Sequence, residues 1–272
     1  MTIRVETLPN GEKLPLLGLG TWNMGGGNSP DYSRDEETVQ AIQTAIRLGC
    51  THLDTAEIYA DGHSEELVGR AIRGFNRSDI FITTKVSARH LRYADVITAL
   101  LQSLQRLGVD YVDQVLIHWP SSSIPLKDTF RALNELAAQG VARHIGVSNF
   151  DLDLLKQSQA LSRTPIATNQ APYSLFHREY ARNGVLEHCQ QTGVLLVAYT
   201  PLEVGKLFGN RVVGEIARSH NATPAQVALS WLIRQPKVIT IPKSVSDAHL
   251  HENVGAYDLD LSADEVARLD RL

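Results

Sequence analysis

Eight short apolar runs, at residues 16–20, 51–54, 80–85, 112–118, 142–148, 167–170, 194–199 and 238–241, alternate along this chain with amphipathic stretches. Each run reads as a buried strand, and most of the stretches between them carry helix start and stop signals. Ser33-x-x-Glu36 reads as a capping box for a helix closed by Gly49. Further helices are expected over 65–72, 94–107, 127–138, from the cap Asp151, and over 182–191. Two more follow the seventh strand, over 211–219 and 223–234; the second opens with Thr223-Pro224-Ala225-Gln226, and the last helix opens at Ser262-x-x-Glu265. Alternating βα units require parallel strands joined by right-handed crossovers. Eight such units in 272 residues close into a (β/α)₈ TIM barrel, an α/β fold of typically about 250 residues. A β-hairpin over 3–14, turning at Pro9-Asn10-Gly11, precedes it, and two helices are extra to it. No linker interrupts the pattern, so one domain over 1–272 is expected.

The bulk properties exclude several function classes. A net charge of −4 with no basic run argues against nucleic acid or an anionic membrane as the partner. No stretch approaches the length of a membrane span, so a soluble, cytoplasmic monomer is expected. Cys50 and Cys189 are isolated and read as reduced, buried thiols. Gly18-x-Gly20 lacks the third glycine and the immediate helix of a dinucleotide fingerprint. His249-x-His251 has no further ligands at metal spacing, so no metal is expected.

In a barrel of this kind the chemistry sits at the carboxyl ends of the strands. Those ends carry Asp54, Lys85, His118, Ser148-Asn149, Gln170, Tyr199 and Lys243-Ser244, with Tyr59 in the loop after the second strand. Taken singly, each is an ordinary ion pair, core histidine, helix cap or buried amide. Their convergence on one mouth is what points to a site. A tyrosine of ordinary pKa about 10 is a weak acid. A buried lysine beside it favours the phenolate and lowers that pKa, and Asp54 can keep the lysine charged. His118 is then free to hold an oxygen by hydrogen bond. An acid over a carbonyl oxygen with no nucleophile or metal implies electrons from a bound donor, and a nicotinamide is the natural source of a hydride.

The sequence closely resembles the aldo-keto reductase family. The matching segments are Gly18-Leu19-Gly20-Thr21-Trp22, Leu53-Asp54-Thr55-Ala56-x-x-Tyr59, Thr84-Lys85, His118-Trp119-Pro120, Ile145-Gly146-Val147-Ser148-Asn149-Phe150, Asn169-Gln170, Ala198-Tyr199-Thr200-Pro201-Leu202 and Ile241-Pro242-Lys243-Ser244. The resemblance implies NADPH-dependent reduction of aldehydes, and of some ketones or dicarbonyls, with NADH as a weaker donor. It makes Tyr59 the general acid, tuned by Lys85 and Asp54, and gives His118 the substrate carbonyl. Ser148, Asn149 and Gln170 would hold the nicotinamide carboxamide, and Tyr199 would stack on the ring. Gly20, Thr21, Trp22, Thr200, Pro201 and Leu202 would line the rest of the cofactor. Lys243, Ser244, Val245 and His249 fall at the 2′-phosphate, and Glu252 and Asn253 at the adenine. Trp22 and Trp119 would wall the substrate beside Tyr59 and His118.

Two departures matter. His249 stands where the family usually has a phosphate-clamping arginine, and a neutral imidazole lacks that permanent charged fork. The family's usual C-terminal tail over the substrate mouth has no counterpart before Leu272, and the loop 119–125 is short. An open pocket taking varied aldehydes is therefore expected. The alternative function, a non-catalytic nicotinamide-binding redox sensor on the same fold, would need a docking insertion that the sequence lacks.

Overall fold

The computed structural model describes residues 2–272, and the backbone alone at Val204 and Gly205; residue 1 of the expected domain lies outside them. The chain opens with β1 (Val5–Thr7) and β2 (Lys13–Pro15), an antiparallel hairpin. Eight parallel strands follow: β3 (Leu19–Gly20), β4 (His52–Asp54), β5 (Phe81–Val86), β6 (Val112–Ile117), β7 (Ala142–Ser148), β8 (Ile166–Pro172), β9 (Leu195–Tyr199) and β10 (Val238–Thr240). Each pairs with the next in sequence. The ring closes where Leu17 bridges Thr240 in parallel, with Gly18 N donating to Thr240 O at 2.9 Å and Thr240 N to Leu16 O at 2.8 Å. The fold is thus a (β/α)₈ barrel.

Closure also explains Gly18-x-Gly20. A Cβ at Gly18 would lie 2.7 Å from His52 O, and one at Gly20 would lie 2.7 Å from Ile241 O. These glycines let the first strand approach both neighbours at the seam, which is backbone packing and not phosphate binding.

The hairpin sits under the amino-terminal end of the barrel. Glu12 pairs with His144, the third residue of β7, at 2.7 Å and Glu6 with Lys237, just before β10, at 2.8 Å, while Leu8 and Leu14 are buried. That end is plugged, which leaves the carboxyl end of the strands for chemistry.

Helix boundaries follow the sequence where the caps are local. Thr223 and Gln226 form their capping box at Pro224–Leu232, as do Ser262 and Glu265 at Ala263–Leu269. Thr223→Ala is expected to lower unfolding stability by about 1 kcal/mol in denaturant titration. The box expected at Ser33-x-x-Glu36 does not form. Asp31 accepts from Ser33 N instead, Tyr32–Arg34 winds as a 3₁₀ turn, and Glu36 pairs with Arg70. A competing cap two residues upstream therefore wins, and the first long helix, α1, runs Asp35–Arg47. The helix expected over 182–191 is two short ones, Glu179–Arg182 and Val185–Thr192, separated by the left-handed Gly184. The second long helix, α2 (His63–Ile72), starts two residues earlier than expected. A helix not anticipated, Asp247–Val254, follows β10 and is capped by Ser246.

Among the described residues no helix is long and apolar enough to cross a membrane. Both cysteines are free and buried, and burial pushes each thiol up to about 12.

Candidate active site

A cavity of about 560 Å³ opens at the carboxyl end of the strands. At its centre Lys85, the fifth residue of β5, is fully buried and aimed at the end of β4. Its Nζ donates to Asp54 Oδ1 at 2.6 Å, to Thr55 O at 2.8 Å and to Tyr59 Oη at 3.2 Å. Those three acceptors use all three ammonium protons. Asp54, 2% exposed, accepts at its other oxygen from Gln170 Nε2 at 2.6 Å. Burial opposes the lysine's charge, but Asp54 and then Tyr59 more than offset it, so the ammonium is held above its usual range. Lys85 stays charged.

The phenol of Tyr59 differs from expectation. Burial raises its pKa, and the pull of Lys85 recovers only part of that, with Asp54 working against it. The net direction is upward, not downward as the tyrosine–lysine pair alone suggested. The sequence shows the lysine but not how little water reaches the hydroxyl. Tyr59 is therefore a protonated phenol throughout the neutral range, the state a proton donor needs.

Local structure fixes Tyr59 from behind. The next three residues, Ala60, Asp61 and Gly62, all take left-handed backbone with φ of 50°, 53° and 90°. For Ala60 and Asp61 this costs about 1–2 kcal/mol each. Several anchors hold the segment in place. Ala60 N donates to Gly27 O at 3.1 Å, and the first residues of α2 are buried and tied to separate elements. His63 pairs with Asp35 at 2.9 Å, Ser64 Oγ donates to Thr21 Oγ1 at 2.9 Å, and Glu65 meets Arg106 at 2.6 Å.

His118 lies edge-on to Tyr59, ring centroids 5.6 Å apart at 75°. Burial, helped by the charge on Lys85, pushes its pKa down to about 3, so the imidazole is neutral. Its Nδ1 is buried without a hydrogen-bond partner among the described residues. Across the mouth, Tyr199 Oη donates to Asn149 Oδ1 at 2.8 Å. Asn149, in left-handed backbone at φ 64°, donates through Nδ2 to His118 O at 3.1 Å and to Ser148 Oγ at 2.9 Å. Ser148, Asn149 and Tyr199 are thus locked to one another along the cavity wall.

The cavity brings together Asp54, Tyr59, His118, Ser148, Asn149, Gln170, Tyr199, Thr200, Pro201, Leu202, Lys243, Gly20, Trp22 and Trp119. Lys85 stands immediately behind them. Thr21 does not reach it: the side chain is fully buried, donating to Asp54 O at 2.9 Å. Ser244, Val245, His249, Glu252 and Asn253 also lie off the cavity wall. Ser244 Oγ instead accepts from Ser246 N at 3.0 Å, and Asn253 is buried beside Leu17 and Pro242. The unanticipated helix Asp247–Val254 carries His249, Glu252 and Asn253. Four wall residues were missed: Ile58, Glu203, Ile241 and Pro242. Ile58 directly precedes Tyr59 and is 48% exposed, and Ile241-Pro242 stand in the matched segment just before Lys243; nothing in the sequence singled out Glu203. Trp22 and Trp119 are 63% and 50% exposed, so the mouth is open and its rim apolar.

A charged lysine shared by a buried carboxylate and a protonated tyrosine thus stands at the barrel mouth. The Aldo/keto reductase family model matches residues 16–272, and the chain belongs to that family of oxidoreductases. It is 40% identical over 266 residues to methylglyoxal reductase YeaE of Escherichia coli (strain K12), covering 95% of this chain and 90% of that one. Glyoxal reductase of Bacillus subtilis (strain 168) is 36% identical over 267 residues, covering 97% and 91%. Among solved structures, a thermostable aldo-keto reductase in complex with the inhibitor epalrestat superposes with a TM-score of 0.96 at 47% identity, covering 99% of both chains. An aldo/keto reductase from Klebsiella pneumoniae in complex with NADP and acetate gives 0.90 at 38%, covering 99% of this chain and 95% of that one.

Proposed function

We propose that this chain reduces small aldehydes and dicarbonyls to alcohols with NADPH as the electron donor. The observation that carries this is the buried Lys85, 2.6 Å from Asp54 and 3.2 Å from the hydroxyl of a protonated Tyr59 on the wall of an open, apolar-rimmed cavity. The methylglyoxal and glyoxal reductases among its relatives favour small dicarbonyls as substrates.

The donor set suits a nicotinamide dinucleotide. Gln170 Oε1 has no protein donor, and Lys243, exposed on the cavity wall, has no ion-pair partner among the described residues. The cavity is roomy enough for a nicotinamide and a small substrate side by side. When bound, the nicotinamide supplies the hydride. Tyr59 Oη gives its proton to the carbonyl oxygen as charge develops there, and the Lys85 ammonium steadies the phenolate left behind. His118, being neutral, orients that oxygen by hydrogen bond and does not compete as the acid. Asp54 keeps Lys85 charged, while Tyr199 would stack on the nicotinamide and Lys243 would hold the 2′-phosphate of NADPH.

A steady-state panel of aliphatic, aromatic and dicarbonyl substrates, run with NADPH and with NADH, tests this reading. Turnover of methylglyoxal or simple aldehydes with NADPH is expected; cofactor binding without turnover across the panel would favour the redox-sensor alternative. Lys243→Ala is expected to raise KM for NADPH about 10-fold or more while leaving KM for NADH nearly unchanged. An equal effect on both cofactors removes Lys243 from the phosphate site.

A further inference from the structure

We propose that Gln170 is a positioning residue that couples occupancy of the cavity to the proton donor Tyr59, acting through Asp54 and Lys85. The inference rests on the proposed function for the identity of the occupant, and on the hydrogen-bond geometry for the coupling.

Four side chains form a single chain of hydrogen bonds. Gln170 Nε2 donates to Asp54 Oδ2 at 2.6 Å, Lys85 Nζ donates to Asp54 Oδ1 at 2.6 Å, and the same Nζ donates to Tyr59 Oη at 3.2 Å. Asp54 therefore divides its charge between a cation and a neutral amide. The ionised carboxylate can only accept, so the nitrogen side of Gln170 must face it. That leaves Oε1 without a donor among the described residues, in a residue on the cavity wall. The backbone behind the amide is held as well: Gln170 O accepts from Ser148 Oγ at 3.0 Å and from Asn149 N at 2.8 Å.

A donor arriving at Oε1 polarises the amide and strengthens the N–H bond to Asp54, because hydrogen bonds in series reinforce one another in a low-dielectric interior. Asp54 then holds Lys85 less tightly, Lys85 gives more of its charge to the tyrosine oxygen, and the phenol becomes a stronger acid. The primary amide of a nicotinamide carries such a donor. The relay thus makes Tyr59 a better acid when the electron source is in place. Around Tyr59 the other titratable groups are His118, which is neutral, and the phenol of Tyr199; the charges that face it are those of Lys85 and Asp54.

The test uses the full chain labelled at tyrosine ¹³Cζ, with the Tyr59 signal assigned by its loss in Tyr59→Phe. The signal is followed against pH in free protein, with NADPH, and with reduced 3-acetylpyridine adenine dinucleotide phosphate, which lacks the amide N–H. Both reduced rings are uncharged, so direct Coulombic pull on the phenol is the same. NADPH is expected to lower the Tyr59 pKa by about one pH unit, and the acetyl analogue by much less. In free Gln170→Leu the Tyr59 pKa is expected above that of the unsubstituted protein, because Asp54 then turns fully on Lys85, and NADPH no longer shifts it. Equal shifts from NADPH and the analogue overturn the relay, as does an undiminished NADPH shift in Gln170→Leu. If that variant does not fold, the two-cofactor comparison on the unsubstituted protein decides. Failure of NADPH to bind at all, read by tryptophan fluorescence, overturns the functional reading and the relay with it; binding without a shift overturns the relay alone.

Discussion

Tyr59→Phe is expected to lower kcat for aldehyde reduction by about 10²–10⁴-fold, with cofactor affinity within a few-fold of the unsubstituted protein. The substitution removes one oxygen from the cavity wall and leaves the ring, its edge-on contact with His118 and the anchored backbone in place. What is lost is the proton that must meet the developing alkoxide. His118 cannot substitute, because its imidazole, pushed down to about 3, carries no extra proton near neutrality. Stopped-flow measurement of the reduction step, beside a fluorescence titration with NADPH, checks both halves. A variant that turns over near normally removes Tyr59 from the role of acid. The pH dependence carries the same sign. Reduction needs the protonated phenol, whose pKa burial raises in the free protein, so the rate holds through neutrality and falls on the alkaline side as the phenol ionises. Alcohol oxidation needs the phenolate and rises over the same window.

Lys85→Met is expected to abolish at least as much activity and, unlike Tyr59→Phe, to damage the fold. The ammonium is fully buried with three acceptors, and its loss leaves the Asp54 carboxylate with only the Gln170 amide and no counter-charge. Breaking a buried pair in this way costs about 3–5 kcal/mol. Lys85 has its folded-state pKa raised, so its contribution to stability is fully present below the ordinary lysine pKa of about 10.4. It is lost only as pH rises through the higher folded value, so neutral-pH denaturation measures the whole effect. Adding Asp54→Asn to Lys85→Met should recover much of the stability and none of the activity. A double variant no more stable than Lys85→Met would mean the damage is lost packing and not an unpaired charge.

Which parts of this could be read along the chain follows from how local the forces are. Strand and helix order, the caps at Thr223 and Ser262, and the placement of ionisable groups at strand ends depend on neighbours a few residues apart. Where two local signals competed, as Asp31 did with Ser33-x-x-Glu36, pattern alone chose the wrong cap. The left-handed turn at Ala60–Gly62 could not be foreseen, since alanine and aspartate prefer other backbone and are held there by Gly27 and the buried start of α2. Motif matching likewise put Thr21 against a ligand, although its hydroxyl is spent inside the wall on Asp54 O and Ser64.

The sequence by itself determined that a (β/α)₈ barrel would form and that Asp54, Tyr59, Lys85 and His118 would share its mouth. Alternating periodicity sets strand order, and strand order sets which ends converge. The tertiary structure alone decided the electrostatic state of that group. Burial outweighs Lys85 in setting the acidity of Tyr59, and Gln170, 116 residues from Asp54 in sequence, takes the second oxygen of that carboxylate. Desolvation and the sharing of one charge among partners depend on how completely water is excluded from all sides at once. No spacing along a chain encodes that.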